Sequence, residues 1–215
     1  MFTLPEALGR SPSKPLRIAV LSAHADDAEI GAGGTLLRLL AERPHCHVLW
    51  AVATGTPVRQ AESEASAQAL VGRALTLTLS YGALQDGFLP HVGRHLKEWA
   101  RSEWSSADLV FTPSRDDSHQ DHRAMGELAW QSFRGAVIAE YEIPKWDGDL
   151  LRRNAYVRLS DDQARDKVDH LRRHFGSQRD KAWYDDDTFR SLMRLRGVEC
   201  SARWAEAFTC AKLAW

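Results

Sequence analysis

Short apolar runs recur along the chain, and the stretches between them carry apolar residues at helical spacing. The first run, LRIAVLS at 16–22, is β-branched and has no polar alternation, as expected of a strand buried on both faces of a parallel sheet. A polar cluster follows it, then Gly31, Gly33 and Gly34, then leucines at helical spacing in 35–40, which predicts strand, tight turn, helix. The alternation continues with a strand at 48–54, a helix rich in alanine and glutamate at 59–71, and a third strand at 75–80. A helix at 96–104 precedes ADLVFTP at 107–113, a fourth buried strand, after which a polar loop at 114–120 leads into a helix beginning near Asp121. Further on, 136–144 reads as a strand and 154–159 as a more polar one. Two helices, at about 161–175 and 187–196, complete the predicted elements, each opened by acidic residues. Strands alternating with helices predict one α/β domain over 16–215, a Rossmann-like, mostly parallel sheet flanked by helices. Residues 1–15, with Pro5, Gly9 and Pro15, read as an extended arm.

In such a sheet, ligands bind in the crevice beyond the carboxyl ends of the strands. Two strand ends carry chemistry. After the first comes AHADDAEIGAGG at 23–34, where His24 and Asp27 are three residues apart. Imidazole and carboxylate suit a zinc ion that keeps a position open for water. The adjacent Asp26 and Asp27 repel one another unless a cation or proton is shared, so a metal with one carboxylate as base is a coherent arrangement. After the fourth strand comes SHQDHRA at 118–124, where His119 and His122 stand at the entry to a helix and can turn toward one point. Three protein ligands and a water form the usual catalytic zinc set, which leaves one histidine for acid catalysis or oxyanion stabilisation. Either pair alone is compatible with a surface role; together, at the ends of two buried strands, they point to one site.

At 215 residues the chain is long enough to bury a core without disulfides or a structural metal, so a metal here would serve chemistry. A net charge of -1, with 44% hydrophobic and 27% charged residues, asks for neither nucleic acid nor an acidic membrane. With no long apolar run, a cytoplasmic protein is expected. Cys46, Cys200 and Cys210 lack metal or disulfide spacing. His91 and His95, and His170 and His174, have helical pair spacing but no intervening glutamate, and read as solvated; His45 and His47 lack a third ligand. Tryptophan at this abundance, eight residues, is more often core or domain edge than a sugar-stacking surface; only Trp146 and Trp183, in polar surroundings, stand out for the latter.

These residues resemble the LmbE-like or PIG-L family of metal-dependent N-acetylglucosaminyl deacetylases, whose signature is AHPDDE before a glycine-rich turn, with a distant HPDH. The matching text is AHADDAEIGAGGT and HQDH. Thr54 and Gly55, Arg59 and Glu62, the LxDG of 84–87 and the late AEAF at 205–208 resemble further landmarks. The resemblance implies zinc ligated by His24, Asp27 and His122, Asp26 as general base, and His119 as the second catalytic group. It also implies that Asp121 supports the histidines, that Arg59 and Asp86 contact sugar hydroxyls, and that the substrate is a small molecule containing an N-acetyl amino sugar. Ala25 and Gln120 stand where the family has proline, and Ala28 where it has glutamate, a loss that would remove one carboxylate near the site. Two other functions compete. A nucleotide-binding Rossmann protein would cradle phosphate on the turn at 31–34, but carboxylates stand where the dinucleotide fingerprint needs glycine. A non-catalytic metal-binding module would have no need of Asp26 and His119.

Overall fold

A computed structural model describes residues 14–210 apart from Pro44, Arg73 and Ser105; most of the arm expected at 1–15 lies outside the described residues. Among them, seven strands form one sheet in the order β3-β2-β1-β4-β5-β7-β6. The strands are β1 (Leu16–Ser22), β2 (Cys46–Thr54), β3 (Thr76–Leu84), β4 (Leu109–Pro113), β5 (Val137–Tyr141), β6 (Ala155–Leu159) and β7 (Trp204–Cys210). The helices are α1 (Asp27–Glu42), α2 (Pro57–Val71), α3 (Gly93–Glu103), α4 (Gln120–Ser132), α5 (Asp161–His174) and α6 (Asp186–Glu199). Strands β1 to β5 pair in parallel, as the apolar runs of β1, β2, β4 and β5 predict; β3, at the sheet edge, alternates threonine and leucine.

The sheet is buried on both faces along β1, β2, β4 and β5. Ile18, Val20, Val48 and Trp50 pack toward α1, α2 and α5, while Ala19, Leu21, Leu49 and Ala51 pack toward α3 and α4. The chain leaves β1 toward β2 and β3 on one side and returns to β4 and β5 on the other. This puts a topological switch point between the adjacent strands β1 and β4, where the crevice of an open α/β sheet forms.

Two expectations need correction. The glycines at 31–34 form no turn: α1 starts at Asp27 and runs straight through them, all buried. They allow a close approach of helix to sheet, since a Cβ on Gly31 would stand 2.7 Å from Tyr141 Cγ and 2.9 Å from the Glu142 carbonyl oxygen. A helix through these glycines leaves no loop to cradle a phosphate. The second correction is β7, which sequence periodicity did not reveal; it pairs antiparallel with both β5 and β6. It carries the buried Glu206, whose carboxylate accepts from the Gly34 and Thr35 amides at 2.9 and 2.6 Å and pairs with buried Lys167 at 2.6 Å. That network joins β7, α1 and α5. No helix among the described residues is long and apolar enough to cross a membrane.

Candidate active site

Both chemical clusters emerge at the switch point. After β1 the chain turns into α1, and the turn is fixed by Asp27, whose Oδ2 accepts the His24 amide at 2.8 Å. The β1 end is tied to β2 by Thr54, whose amide and hydroxyl both donate to the Ala23 carbonyl, at 3.0 and 2.8 Å. After β4, His119 caps α4 with its Nδ1 accepting from the Asp121 amide at 3.2 Å, which leaves His122 one turn into the helix.

His24, Asp27 and His122 converge. His24 Nδ1 lies 3.1 Å from His122 Nε2 and 3.5 Å from Asp27 Oδ2, and His122 Nε2 lies 3.3 Å from Asp27 Oδ1. Three donors each about 2.0–2.2 Å from a tetrahedral zinc stand about 3.3–3.5 Å apart, so this spacing and this nitrogen and oxygen set fit zinc. His119 also lies close, with ring centroids 4.8 Å from His24 and 4.7 Å from His122. Two alternative donor groupings exist, His24 with His119 and His122, and His24 with Asp86 and Asp121. His119 Nδ1 already accepts a backbone amide, and Asp86 and Asp121 face the opposite nitrogen of His24, so the set with Asp27 is the more coherent.

The surrounding carboxylates orient these rings. His24 Nε2 lies 3.0 Å from Asp86 Oδ1 and 3.5 Å from Asp121 Oδ2, and Asp121 also accepts the Gly87 and Leu89 amides at 2.6 and 3.0 Å. Asp121 therefore fixes the 86–89 turn that presents Asp86. Asp117 was not foreseen: its Oδ2 lies 3.0 Å from His122 Nδ1, and its Oδ1 accepts the His119 amide at 2.7 Å. A carboxylate five residues before His122 was the signal available in sequence, since metal-binding imidazoles are commonly held at their far nitrogen. Arg59 turns inward and donates from Nη2 to Asp26 Oδ1 at 2.6 Å, while its Nε is buried without a partner among the described residues.

The charges follow from these contacts. Burial works against charge on His24 and His122, yet Asp27, with Asp121 and Asp86 for the first and Asp117 for the second, holds His24 well above its ordinary pKa and lifts His122 to about 9. Burial would also raise Asp27, but the two imidazoles take it well below the usual carboxylate range. Asp86 falls to about 2 through its bond to His24. Asp26 behaves differently from its neighbour. Burial raises it, and the opposing pull of Arg59 does not cancel that rise. Burial, then the neighbouring histidines His122 and His24, lower His119.

Above this floor opens a pocket of about 190 Å³, walled by Trp146, Trp183, Lys145 and Lys181. Both tryptophans singled out in the sequence thus border the site, Trp146 with 73% of its surface exposed. Larger surface depressions of about 500 and 730 Å³ contain no histidine. Ala28 is fully buried in the core, and Glu29 beside it keeps a carboxylate behind the site, raised by burial and accepting from the Ser66 hydroxyl. Ser66 also meets His170 Nε2 at 2.8 Å, so His170 is not the solvated residue expected; His91 and His95 are exposed.

The chain resembles known proteins in this same region. The family model for PIG-L, described as GlcNAc-PI de-N-acetylase, matches residues 19–133. No curated protein matches at a significant level. Among solved structures, N,N'-diacetylchitobiose deacetylase from Pyrococcus horikoshii superposes with a TM-score of 0.69 at 24% identity, covering 97% of this chain and 90% of that one. The zinc-inhibited form of teicoplanin deacetylase Orf2 gives 0.68 at 12% identity, covering 92% and 98%. GalB, the 4-carboxy-2-hydroxymuconate hydratase from Pseudomonas putida, gives 0.68 at 14% identity, covering 93% and 98%. At these identities the structural likeness establishes the fold, which serves more than one chemistry. The family match covers more than half of the chain and spans every residue from His24 to His122 that converges here, so the protein belongs to the PIG-L, GlcNAc-PI de-N-acetylase, family.

Proposed function

We propose that the protein is a zinc-dependent hydrolase that removes the N-acetyl group from an amino sugar or amino-sugar conjugate. The observation that carries this reading is the convergence of His24 Nδ1, Asp27 and His122 Nε2 at mutual distances of 3.1 to 3.5 Å, beside a buried carboxylate outside that set. Those three residues would hold the zinc, which when bound polarises the acyl carbonyl and acidifies the attacking water.

The chain's own groups do the rest. Arg59 occupies Asp26 Oδ1, so Asp26 takes the water's proton at Oδ2 and returns it to the leaving nitrogen. Its raised affinity for protons suits a base working near neutral pH. His119 Nδ1 is engaged as an acceptor, so the neutral ring carries its proton on Nε2 and donates it as a hydrogen bond to the developing oxyanion. Asp86, 60% exposed in its side chain, remains for sugar hydroxyls, and Arg59 lines the same pocket. Trp146 and Trp183 offer flat apolar faces to a pyranose ring. Acetate and a free amine leave. The deacetylases among the structural neighbours support the reading of an N-deacetylase.

The test is acetate release from a panel of N-acetyl amino sugars, with metal analysis of the same preparation before and after chelation. About one zinc per chain, with activity lost on chelation and restored by zinc, is expected. A protein that holds zinc but releases acetate from none of the panel would instead be a metal-binding module.

A further inference from the structure

The loops after β4 and β5 are joined by one buried ammonium. Lys145 Nζ, on a side chain 8% exposed, lies 3.0 Å from Asp117 Oδ1 and 2.7 Å from Asp149 Oδ2. Each carboxylate is committed on both sides. Asp117 faces His122 Nδ1 and accepts the His119 amide; Asp149 accepts the Ser118 amide at 2.7 Å. Trp146, which borders the pocket mouth, is the next residue after Lys145. A buried lysine between two buried carboxylates does more than add stability. The Asp117 carboxylate stands at the far nitrogen of His122 and so orients the ring with Nε2 turned toward His24 and Asp27. Remove the ammonium, and the Asp117 and Asp149 carboxylates lose their shared cation and repel across the gap between the loops, which loosens the hold of Asp117 on His122 and of the Trp146 segment on the pocket.

We propose that Lys145 is a positioning residue that couples the pocket-wall segment carrying Trp146 to the donor face of His122, through Asp117 on one side and Asp149 on the other. The proposal rests on the zinc-dependent reading above. It separates the two halves of the network, because only the Asp117 side reaches a zinc ligand and only the Asp149 side anchors the loop beyond Lys145.

The experiment measures zinc affinity by chelator competition and steady-state kinetics at saturating zinc for wild type, Lys145→Met, Lys145→Arg and Asp149→Ala, after thermal melting of each has established folding. Lys145→Met is expected to bind zinc about 10 to 100-fold more weakly, the range for residues that orient a metal-bound histidine, and to raise KM. Lys145→Arg, which keeps a cation between the carboxylates, restores most of the affinity. Asp149→Ala raises KM with zinc affinity close to that of wild type. Zinc affinity unchanged in Lys145→Met overturns the proposal, as does a loss in Asp149→Ala equal to that in Lys145→Met. If Lys145→Met does not fold, the Arg and Asp149 variants decide: weak zinc binding in Lys145→Arg, or unchanged KM in Asp149→Ala, refutes it. A wild-type protein that holds no zinc defeats the function reading itself; wild-type zinc binding and turnover with unresponsive Lys145 variants defeats only this coupling.

Discussion

Arg59 separates two roles that a single kinetic constant would merge. The resemblance to the deacetylase family implies a contact with sugar hydroxyls, whereas the structure places its Nη2 2.6 Å from Asp26 Oδ1, with side chains 15% and 4% exposed. Replacing Arg59 with methionine keeps an apolar stem of similar length and removes the charge. At an effective dielectric near 20, an ion pair 4 Å apart is worth about 4 kcal/mol, and a shorter contact more, but water entering the vacated space returns part of it. Opposite charges this close lower a carboxyl pKa by about one to three units, so removing the guanidinium raises the proton affinity of Asp26 by a similar amount. The sign is fixed: Arg59 favours the ionised form, and burial already opposes it. In Arg59→Met the acidic limb of kcat/KM should therefore move up by about one to three pH units. Below that limb the rate falls about tenfold per unit, while the alkaline plateau is largely kept. The assay is kcat/KM against pH at saturating zinc, with KM and kcat resolved at each point. A variant whose acidic limb stays in place while KM rises equally at every pH would refute the tuning role and leave Arg59 as a substrate contact alone.

Four further outcomes are expected. Asp26→Ala should keep its zinc and lose about 10² to 10⁴-fold in kcat, whereas Asp27→Ala loses both; metal analysis beside kinetics tells them apart, and metal loss in both variants would end the division of labour between the carboxylates. His119→Ala should bind zinc normally and lose about 10²-fold or more in kcat with little change in KM, so a large rise in KM at constant kcat would recast it as a binding residue. Trp146→Ala should raise KM several-fold, by about 1–2 kcal/mol of lost stacking, with kcat and zinc content kept, as steady-state kinetics will show. Gly31→Ala should destabilise the fold despite the better helix propensity of alanine, because its Cβ meets the buried Tyr141 ring, whose hydroxyl donates to the Leu21 carbonyl at 2.7 Å. Overpacking of about 1–3 kcal/mol against a propensity gain of up to about 1 predicts a melting temperature lower by several degrees.

The sheet and the place of the site were legible in the sequence because both rest on local signals. Unbroken apolar runs such as LRIAVLS mark strands covered on both faces, and their alternation with helical stretches fixes a parallel order with its crevice at the carboxyl ends. His24, Asp26, Asp27, His119 and His122 were visible for the same reason, being polar residues crowded directly after two such runs. Other features depended on partners distant in the chain. The glycines at 31–34 signal a turn by local propensity, yet they lie in a helix packed so close to its neighbours that Tyr141 and Leu159 leave no room for a Cβ at Gly31 and Gly34. Strand β7 escaped notice because its run carries Glu206, a charge that can be buried only once Lys167 and two amides of α1 are brought to it. Arg59 was expected only as a contact for sugar hydroxyls; its pairing with Asp26 escaped the sequence because the two lie on different elements and only packing brings them together. Lys145 gave no local sign at all. Its meaning comes from Asp117 and Asp149 arriving on either side, and the free energy of a buried charge is set by such neighbours, which tertiary structure alone supplies.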